Sequence, residues 1–294
     1  MLFSLSHRPT CLGFVYLALV FTFWSGLATS EPAKTISQSF ASQCAGALSE
    51  LSDQGPISFF KKNHWAVVDT KPTLGIESGK PNGELVNALT KGYDELFERA
   101  KAPLVRGRFP IAELECCPLR DNTMYKIEGL PEAQKAAISE WANEVLSIAK
   151  AATGENLQIK TVTLGRGFAA GGSDTPLIHR DGSGTYIHAL TTLQGPATLV
   201  FPAGDALAEF NIIDFKPGMK ELTLKKLRDR DENSENLVVS DAAVSAPLGE
   251  TAIITGMGYS RSKPDRVSTM HSSPPGSQLD RLTLFVDIQP VSHP

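Results

Sequence analysis

The stretch RLTLFVDI, residues 281–288, alternates aliphatic side chains with other types along its whole length. A period of two predicts a β-strand whose faces meet different surroundings. If the aliphatic face packs on helices, Arg281 and Thr283 point into the interior, where a buried guanidinium is costly without an anionic guest. Its planar fork pairs bidentately with carboxylates, so we predict an oxo-acid anchor here.

The rest of the chain predicts an α+β fold. Apolar residues at helical spacing predict one helix over residues 83–102 and a second over 131–153, with Pro131 at its start and Gly154 after its end. Residues 103–129 lack a clear period and are predicted to form a long loop. Beyond Gly154, short runs rich in β-branched residues predict a β-sandwich or small barrel. These predicted strands cover 157–164, 186–193, 197–201, 251–255, 267–271 and 281–288, with an earlier one near 64–68.

One set of residues predicts a metal site. His179 and Asp181 are two positions apart, so on an extended segment both side chains leave the same face, with Cα atoms roughly 6.6 Å apart. His271 closes a later predicted strand and is the candidate third ligand. Two histidines and one carboxylate leave open positions on an iron ion, as catalysis with dioxygen and a bidentate co-substrate requires.

Together, His179, Asp181, His271 and Arg281 resemble the iron(II)- and 2-oxoglutarate-dependent dioxygenase superfamily, in its prolyl-hydroxylase-like and phytanoyl-type branches, with no close subfamily match. The resemblance implies a double-stranded β-helix, a jelly-roll or cupin-like barrel, with flanking N-terminal helices. It also implies Fe(II) and 2-oxoglutarate, with Arg281 and Thr283 binding the distal carboxylate. Three further stretches are similar to core strands of the superfamily: residues 60–68, 195–202 and 249–254.

Two more side chains near the ligands have alternative interpretations. Tyr186 is a candidate co-substrate ligand by the same resemblance, and a core tyrosine with a satisfied hydroxyl is the alternative. His188 has the same strand parity as Tyr186. We interpret it as a packed histidine, or one that supports the metal ligands, in preference to a fourth ligand.

The N-terminus and the cysteines favour a secretory route. Residues 1–30 resemble a signal peptide, with an uncleaved anchor as the alternative, and periplasm or exterior as the destination. We then expect a helical extension over 31–154 and a catalytic core over 155–294, with a charged insertion near 216–240. Of the cysteines after the leader, Cys44 is predicted to form a disulfide with Cys116 or Cys117.

Charge excludes some partners. The net charge of −4 is well mixed, without the basic stripe of a nucleic-acid-binding protein or a polybasic segment for anionic lipid. We therefore expect a small-molecule or peptidyl substrate. The main hypothesis is a hydroxylating oxygenase, and the alternative is a secreted cupin-like metal-binding or sensing module without turnover. A structural β-sandwich with incidental histidines is the third possibility.

Overall fold

The computed structural model describes residues 31–77, 80–100, 108–119, 124–166, 177–202, 221–223, 243–263, 265–272 and 281–291. Within these ranges, the side chains of residues 31–41, 177–179 and 221–223 are not described. The predicted signal peptide and nearly all of the charged insertion lie outside the described residues.

Four helices are present among the described residues: α1 (Glu31–Asn63), α2 (Gly83–Arg99), α3 (Glu132–Thr153) and α4 (Met257–Ser262). Gly55 interrupts α1 with a φ of 74°, a conformation that glycine adopts readily. Pro131 precedes α3, and Gly154 ends it in the left-handed region at φ 70°. The two helices predicted from the sequence are therefore confirmed.

The strands form two antiparallel sheets, which confirms the α+β class. The larger sheet has the order β1 (Trp65–Asp69), β9 (Glu250–Thr255), β5 (Ile187–Gln194), β11 (Leu282–Pro290), β3 (Leu157–Arg166) and β2 (Arg108–Pro110). The smaller sheet has the order β7 (Glu221–Thr223), β4 (Leu177–His179), β10 (Met270–Ser272), β6 (Leu199–Phe201) and β8 (Val244–Ser245).

The N-terminal segment contributes directly to the larger sheet. Strand β1 pairs with β9 and strand β2 pairs with β3, so residues on both sides of position 154 share one sheet. The long loop predicted over 103–129 contains one short strand, β2, among its described residues. Phe60 was also expected at the start of a core strand, but it lies in the last turn of α1 and is fully buried.

The aliphatic face of β11 packs toward the helices. Leu284 lies opposite Thr191 of β5, which lies opposite Thr251 of β9, and residues directly opposite share a face. Thr251 accepts a hydrogen bond of 2.8 Å from the indole Nε1 of Trp141 on α3. The other face of β11, which carries Thr283, Phe285 and Asp287, therefore points away from this helix.

The predicted disulfide from Cys44 to Cys116 or Cys117 is not formed. Cys116 and Cys117 are free thiols whose Sγ atoms lie 3.3 Å apart. Cys44 is buried on α1. The sulfur atoms of adjacent cysteines are close because the local backbone keeps them together. The predicted disulfide was based on the cellular compartment alone, which does not determine which cysteines are close.

No helix within the described ranges is long and apolar enough to span a membrane.

Candidate metal centre

Strand pairing in the smaller sheet brings two of the predicted ligands together. His271 of β10 lies directly opposite His179 of β4. Opposite residues of antiparallel strands have Cα atoms about 4.5 to 5.5 Å apart, so these two backbones are neighbours although 91 residues lie between them in the sequence. The His179 side chain itself is outside the described residues.

Asp181 and His271 meet through their side chains. The Asp181 Oδ1 atom lies 3.9 Å from the His271 Nε2 atom, and the imidazole is 2% exposed. The backbone N–H of Met257 donates a hydrogen bond of 2.9 Å to the Asp181 carbonyl, which ties the segment after β4 to the start of α4. A buried imidazole and a carboxylate thus share one interior site.

The two donor atoms are somewhat farther apart than ligands of one octahedral ion. Neighbouring ligand atoms that each lie about 2.1 Å from such an ion are about 3.0 Å apart, so a side-chain movement of roughly 1 Å would bring both within reach of one metal ion. Among the side chains that the structure describes, no group of three His, Cys, Asp or Glu forms a metal cluster. This statement does not include the side chain of His179, which lies outside the described residues. The structure therefore brings together the backbones of all three predicted ligands and the side chains of two.

Arg281 lies in a buried pocket of oxygen acceptors. Its Nε donates a hydrogen bond of 2.9 Å to the Pro196 carbonyl, and its Nη2 contacts the hydroxyls of Thr192 and Thr198. Burial, together with the neighbouring charge of Arg108, lowers the pKa of the guanidinium to about 10. The group is therefore still a cation at neutral pH, with its orientation set by protein oxygens.

Thr283 completes this pocket on β11. The side chain is 2% exposed, and its Oγ1 atom has no hydrogen-bond partner among the described residues. A buried hydroxyl without a partner is costly, and its presence indicates a site for a ligand oxygen. Thr198 immediately precedes β6, whose Val200 lies opposite His271, so the pocket adjoins the candidate ligands.

Tyr186 does not belong to this pocket. Its hydroxyl hydrogen-bonds to Glu155 and Arg266. Tyr186 precedes β5 at the end opposite to Thr192, and six residues of strand span roughly 20 Å. These contacts fit the alternative of a core tyrosine with a satisfied hydroxyl, and binding of the co-substrate by Tyr186 stays a prediction.

A second polar cluster lies on the same face of the larger sheet. His188 Nδ1 is 2.7 Å from Asp287 Oδ1, and His188 Nε2 is 3.0 Å from Arg108 Nη1. Because arginine only donates, Nε2 is the acceptor and the ring proton on Nδ1 is donated to Asp287. Burial is the largest single effect and would raise the pKa of Asp287, but the hydrogen bond and electrostatic interaction with His188, together with the charge of Arg108, outweigh burial and lower the pKa.

Part of this cluster could be predicted from local sequence patterns. His188 was interpreted as a packed or supporting histidine, and its two hydrogen bonds agree with that. Asp287 has the same strand parity as Thr283. Arg108 lies within residues 103–129, which have no clear period, so no local pattern assigned its side chain to the interior.

Comparisons with known proteins find similarity in structure only. No protein-family model matches the chain, and no curated protein matches it by sequence. The non-heme alpha ketoglutarate dependent epimerase SnoN from nogalamycin biosynthesis shares 12% identity, over 81% of this chain and 82% of that one, with a TM-score of 0.41.

Two prolyl hydroxylases are similarly distant. The viral collagen prolyl hydroxylase of Paramecium Bursaria Chlorella virus-1 shares 11% identity, over 77% of this chain and 90% of that one, with a TM-score of 0.41. A Pseudomonas putida prolyl-4-hydroxylase shares 10%, over 80% and 93%, with a TM-score of 0.37. Proteins of the kind that the sequence resembles are thus found among similar structures, at a distance too great to transfer a function.

Proposed function

We propose that this protein is an Fe(II)- and 2-oxoglutarate-dependent oxygenase whose two sheets form a double-stranded β-helix. The observation that carries the proposal is the pairing of β4 with β10. It sets His271 opposite His179 and places the Asp181 carboxylate 3.9 Å from the His271 imidazole. These three residues are the proposed ligands.

The proposed ligand set fits a catalytic iron. His179, His271 and Asp181 would hold the metal through two imidazoles and one carboxylate, a ligand set that would leave positions open for a co-substrate and dioxygen. When bound, the metal with its co-substrate supplies the activation of dioxygen that hydroxylation needs. The protein supplies orientation: the backbone of Met257 holds the Asp181 segment, and strand pairing holds His271.

Arg281 and Thr283 are the proposed residues for the distal carboxylate of 2-oxoglutarate. Thr192, Thr198 and the Pro196 carbonyl orient the guanidinium before any ligand arrives. Pre-orientation lowers the entropy lost on binding. The Thr283 hydroxyl, which has no partner in the described part of the chain, would donate to a carboxylate oxygen.

The test is an anaerobic titration of the purified protein with Fe(II) and 2-oxoglutarate. We expect a visible charge-transfer absorbance, which Asp181→Ala and His271→Ala should abolish. Asp53→Ala, at an exposed carboxylate on α1, is the matched control and should keep the band.

Arg281→Ala separates an oxygenase from a metal-binding module. In an oxygenase this change leaves bound iron, measured by elemental analysis, but removes the 2-oxoglutarate-dependent band. A wild-type protein that binds iron stoichiometrically without any such band would contradict the proposal and favour the module.

We also propose a secretory route, supported by the apolar run within residues 1–30. The substrate is proposed to be a small molecule or a peptidyl side chain. Mass measurement of the N-terminus of protein from the producing cell tests the route, and an intact leader in the cytosolic fraction would contradict it.

A further inference from the structure

Arg108 reaches the interior face of the larger sheet from its edge. On β2 it lies opposite Gly165 of β3, which lies opposite Thr283 of β11. Opposite residues share a face, so Arg108 is on the same side as the proposed 2-oxoglutarate pocket. Burial lowers the pKa of Arg108, and electrostatic interactions with Asp181 and Asp287 offset part of this lowering. Both carboxylates are therefore near the guanidinium.

Three groups hold the Arg108 guanidinium in place. Its carbon Cζ lies 3.8 Å from the centre of the Phe285 ring, in a stacked cation–π contact. His188 accepts one hydrogen bond from Nη1 and is itself oriented by Asp287. Gly165 leaves space for the stacked Arg108 and Phe285 side chains, because a Cβ at position 165 would lie 2.8 Å from the Phe285 ring and 3.6 Å from Arg108 Cγ.

Most of the binding capacity of Arg108 is unused. A guanidinium has five N–H donors, and within the described part of the chain only Nη1 makes a hydrogen bond. No carboxylate of the described residues lies within 4 Å of it. Arg108 is exposed, so a ligand can reach its guanidinium from solvent.

We propose that Arg108 is a specificity-determining residue that binds a carboxylate group of the substrate, with His188 and Asp287 as positioning residues. The inference rests on the proposed oxygenase function, because it places the substrate beside Asp181. A carboxylate fits because the Nε and Nη2 donors make no hydrogen bond to the described residues and form the fork that binds two oxygens in one plane. Arg281 is left to the co-substrate, because the Pro196 carbonyl and the hydroxyls of Thr192 and Thr198 orient its guanidinium.

The test compares benzoate with benzamide, which have nearly the same shape but differ in charge. Their dissociation constants are measured by ligand-detected NMR on metal-free protein without 2-oxoglutarate. We expect benzoate to bind in the roughly millimolar range and benzamide at least about tenfold more weakly. Arg108→Gln and Arg108→Lys should both remove this preference, because lysine keeps the charge but not the fork.

Three further variants make the assignment specific. Arg99→Gln, at an exposed arginine paired with Glu128, is the matched control and should bind benzoate like the wild type. Arg261→Gln, at an exposed arginine of α4, is a second control and should also leave benzoate binding intact. His188→Leu should lower the benzoate preference although Arg108 remains, a readout that a purely structural role would not change.

Two results would overturn the inference: equal binding of benzoate and benzamide, or a preference that Arg281→Gln removes while Arg108→Gln leaves it. The assay contains neither iron nor 2-oxoglutarate, so its outcome is independent of the charge-transfer band. A missing band with an intact Arg108-dependent preference would reject the oxygenase function alone.

Discussion

At the scale of single residues, Arg281 and Thr283 share a strand face but differ in how their polar atoms are satisfied. Arg281 donates to a carbonyl and to threonine hydroxyls, whereas the Thr283 hydroxyl has no partner among the described residues. An oriented cation next to an unsatisfied hydroxyl is expected where a ligand supplies the missing acceptor. The two residues should therefore respond differently to substitution.

Thr283→Val should weaken 2-oxoglutarate binding without weakening the fold. Valine has the same shape, and removing a buried hydroxyl that makes no hydrogen bond is close to neutral for stability. Loss of a hydrogen bond to a charged group should raise the dissociation constant of 2-oxoglutarate about tenfold or more. Urea unfolding and the anaerobic titration measure the two effects.

Thr191→Val is the control for that substitution. Thr191 is equally buried but lies on the opposite face, where its hydroxyl donates to the Glu250 carbonyl at 3.1 Å. Its replacement should cost about 1 kcal/mol of stability and leave 2-oxoglutarate binding unchanged. If Thr283→Val destabilised the protein by as much and bound 2-oxoglutarate normally, its hydroxyl would have only a structural role.

Gly165→Ala should disturb the Arg108 cluster through one added carbon atom. The new Cβ would lie 2.8 Å from the Phe285 ring, closer than carbon atoms approach, and that ring is buried. Overpacking of this kind costs about 1 to 3 kcal/mol and should also shift Arg108, which lowers the benzoate preference. Gly184→Ala is the control, since nothing lies within 4 Å of its Cβ, and equal stability of the two variants would contradict the expected clash.

At the scale of elements, strong local sequence patterns predicted a long helix and a long strand close to their observed bounds. The helix predicted over 131–153 is observed as Glu132–Thr153, and the strand predicted over 281–288 as Leu282–Pro290. Each has a clear period and, for the helix, residues that mark its ends. Long elements with one buried face were therefore accessible from sequence.

Short elements and long-range pairings were not accessible in the same way. Strands β2 and β4 have three residues each, too few to show a period. The grouping of His271 with His179 in one site was inferred from the types and order of the ligands, whereas their pairing was not predicted, since no local pattern specifies register between distant strands. The interior position of Arg108 depends on its pairing with Gly165, and the distance of Tyr186 from Arg281 depends on the direction of β5, so neither follows from a local pattern.

A chain of hydrogen bonds joins helix α3 to the larger sheet. The Thr251 hydroxyl accepts from Trp141 Nε1 at 2.8 Å and lies 2.7 Å from the Thr70 hydroxyl. Thr251→Val should cost about 1 to 3 kcal/mol, because the fully buried indole N–H loses its acceptor. Urea unfolding with an unchanged m-value would show this as a loss of stability.

Ser147→Ala provides the comparison on the same helix. Ser147 is exposed, and its hydroxyl bonds to the Asn143 carbonyl of its own helix, so its replacement should change stability by no more than about 0.5 kcal/mol. Equal losses for Thr251→Val and Ser147→Ala would show that the indole hydrogen bond does not anchor α3.

At the scale of the whole molecule, one polar cluster connects segments that are distant in sequence. Arg266, before β10, binds Glu155 after α3 and Tyr186 before β5, and its guanidinium lies 4.2 Å from the centre of the Tyr259 ring on α4. His271 follows Arg266 by five residues on the same segment. The cluster therefore fixes how β10 approaches the candidate metal centre.

Glu155 should make the stability of the fold depend on acid. Burial alone would raise the pKa of its carboxyl, but the hydrogen bonds from Arg266 and Tyr186 outweigh burial and lower it. A carboxyl whose folded pKa is below its unfolded value stabilises the protein above the unfolded pKa, about 4.3, and loses that contribution as the pH falls through the folded value. Glu155→Gln should therefore be less stable than the wild type at pH 7, with the difference shrinking toward pH 3. Urea unfolding across this pH range measures the difference in stability. The control is Glu140→Gln, at an exposed position of α3, whose free energy of unfolding should differ from that of the wild type by no more than about 0.5 kcal/mol at pH 7. A constant difference between Glu155→Gln and the wild type at every pH would show that the ionised carboxylate does not hold the cluster together.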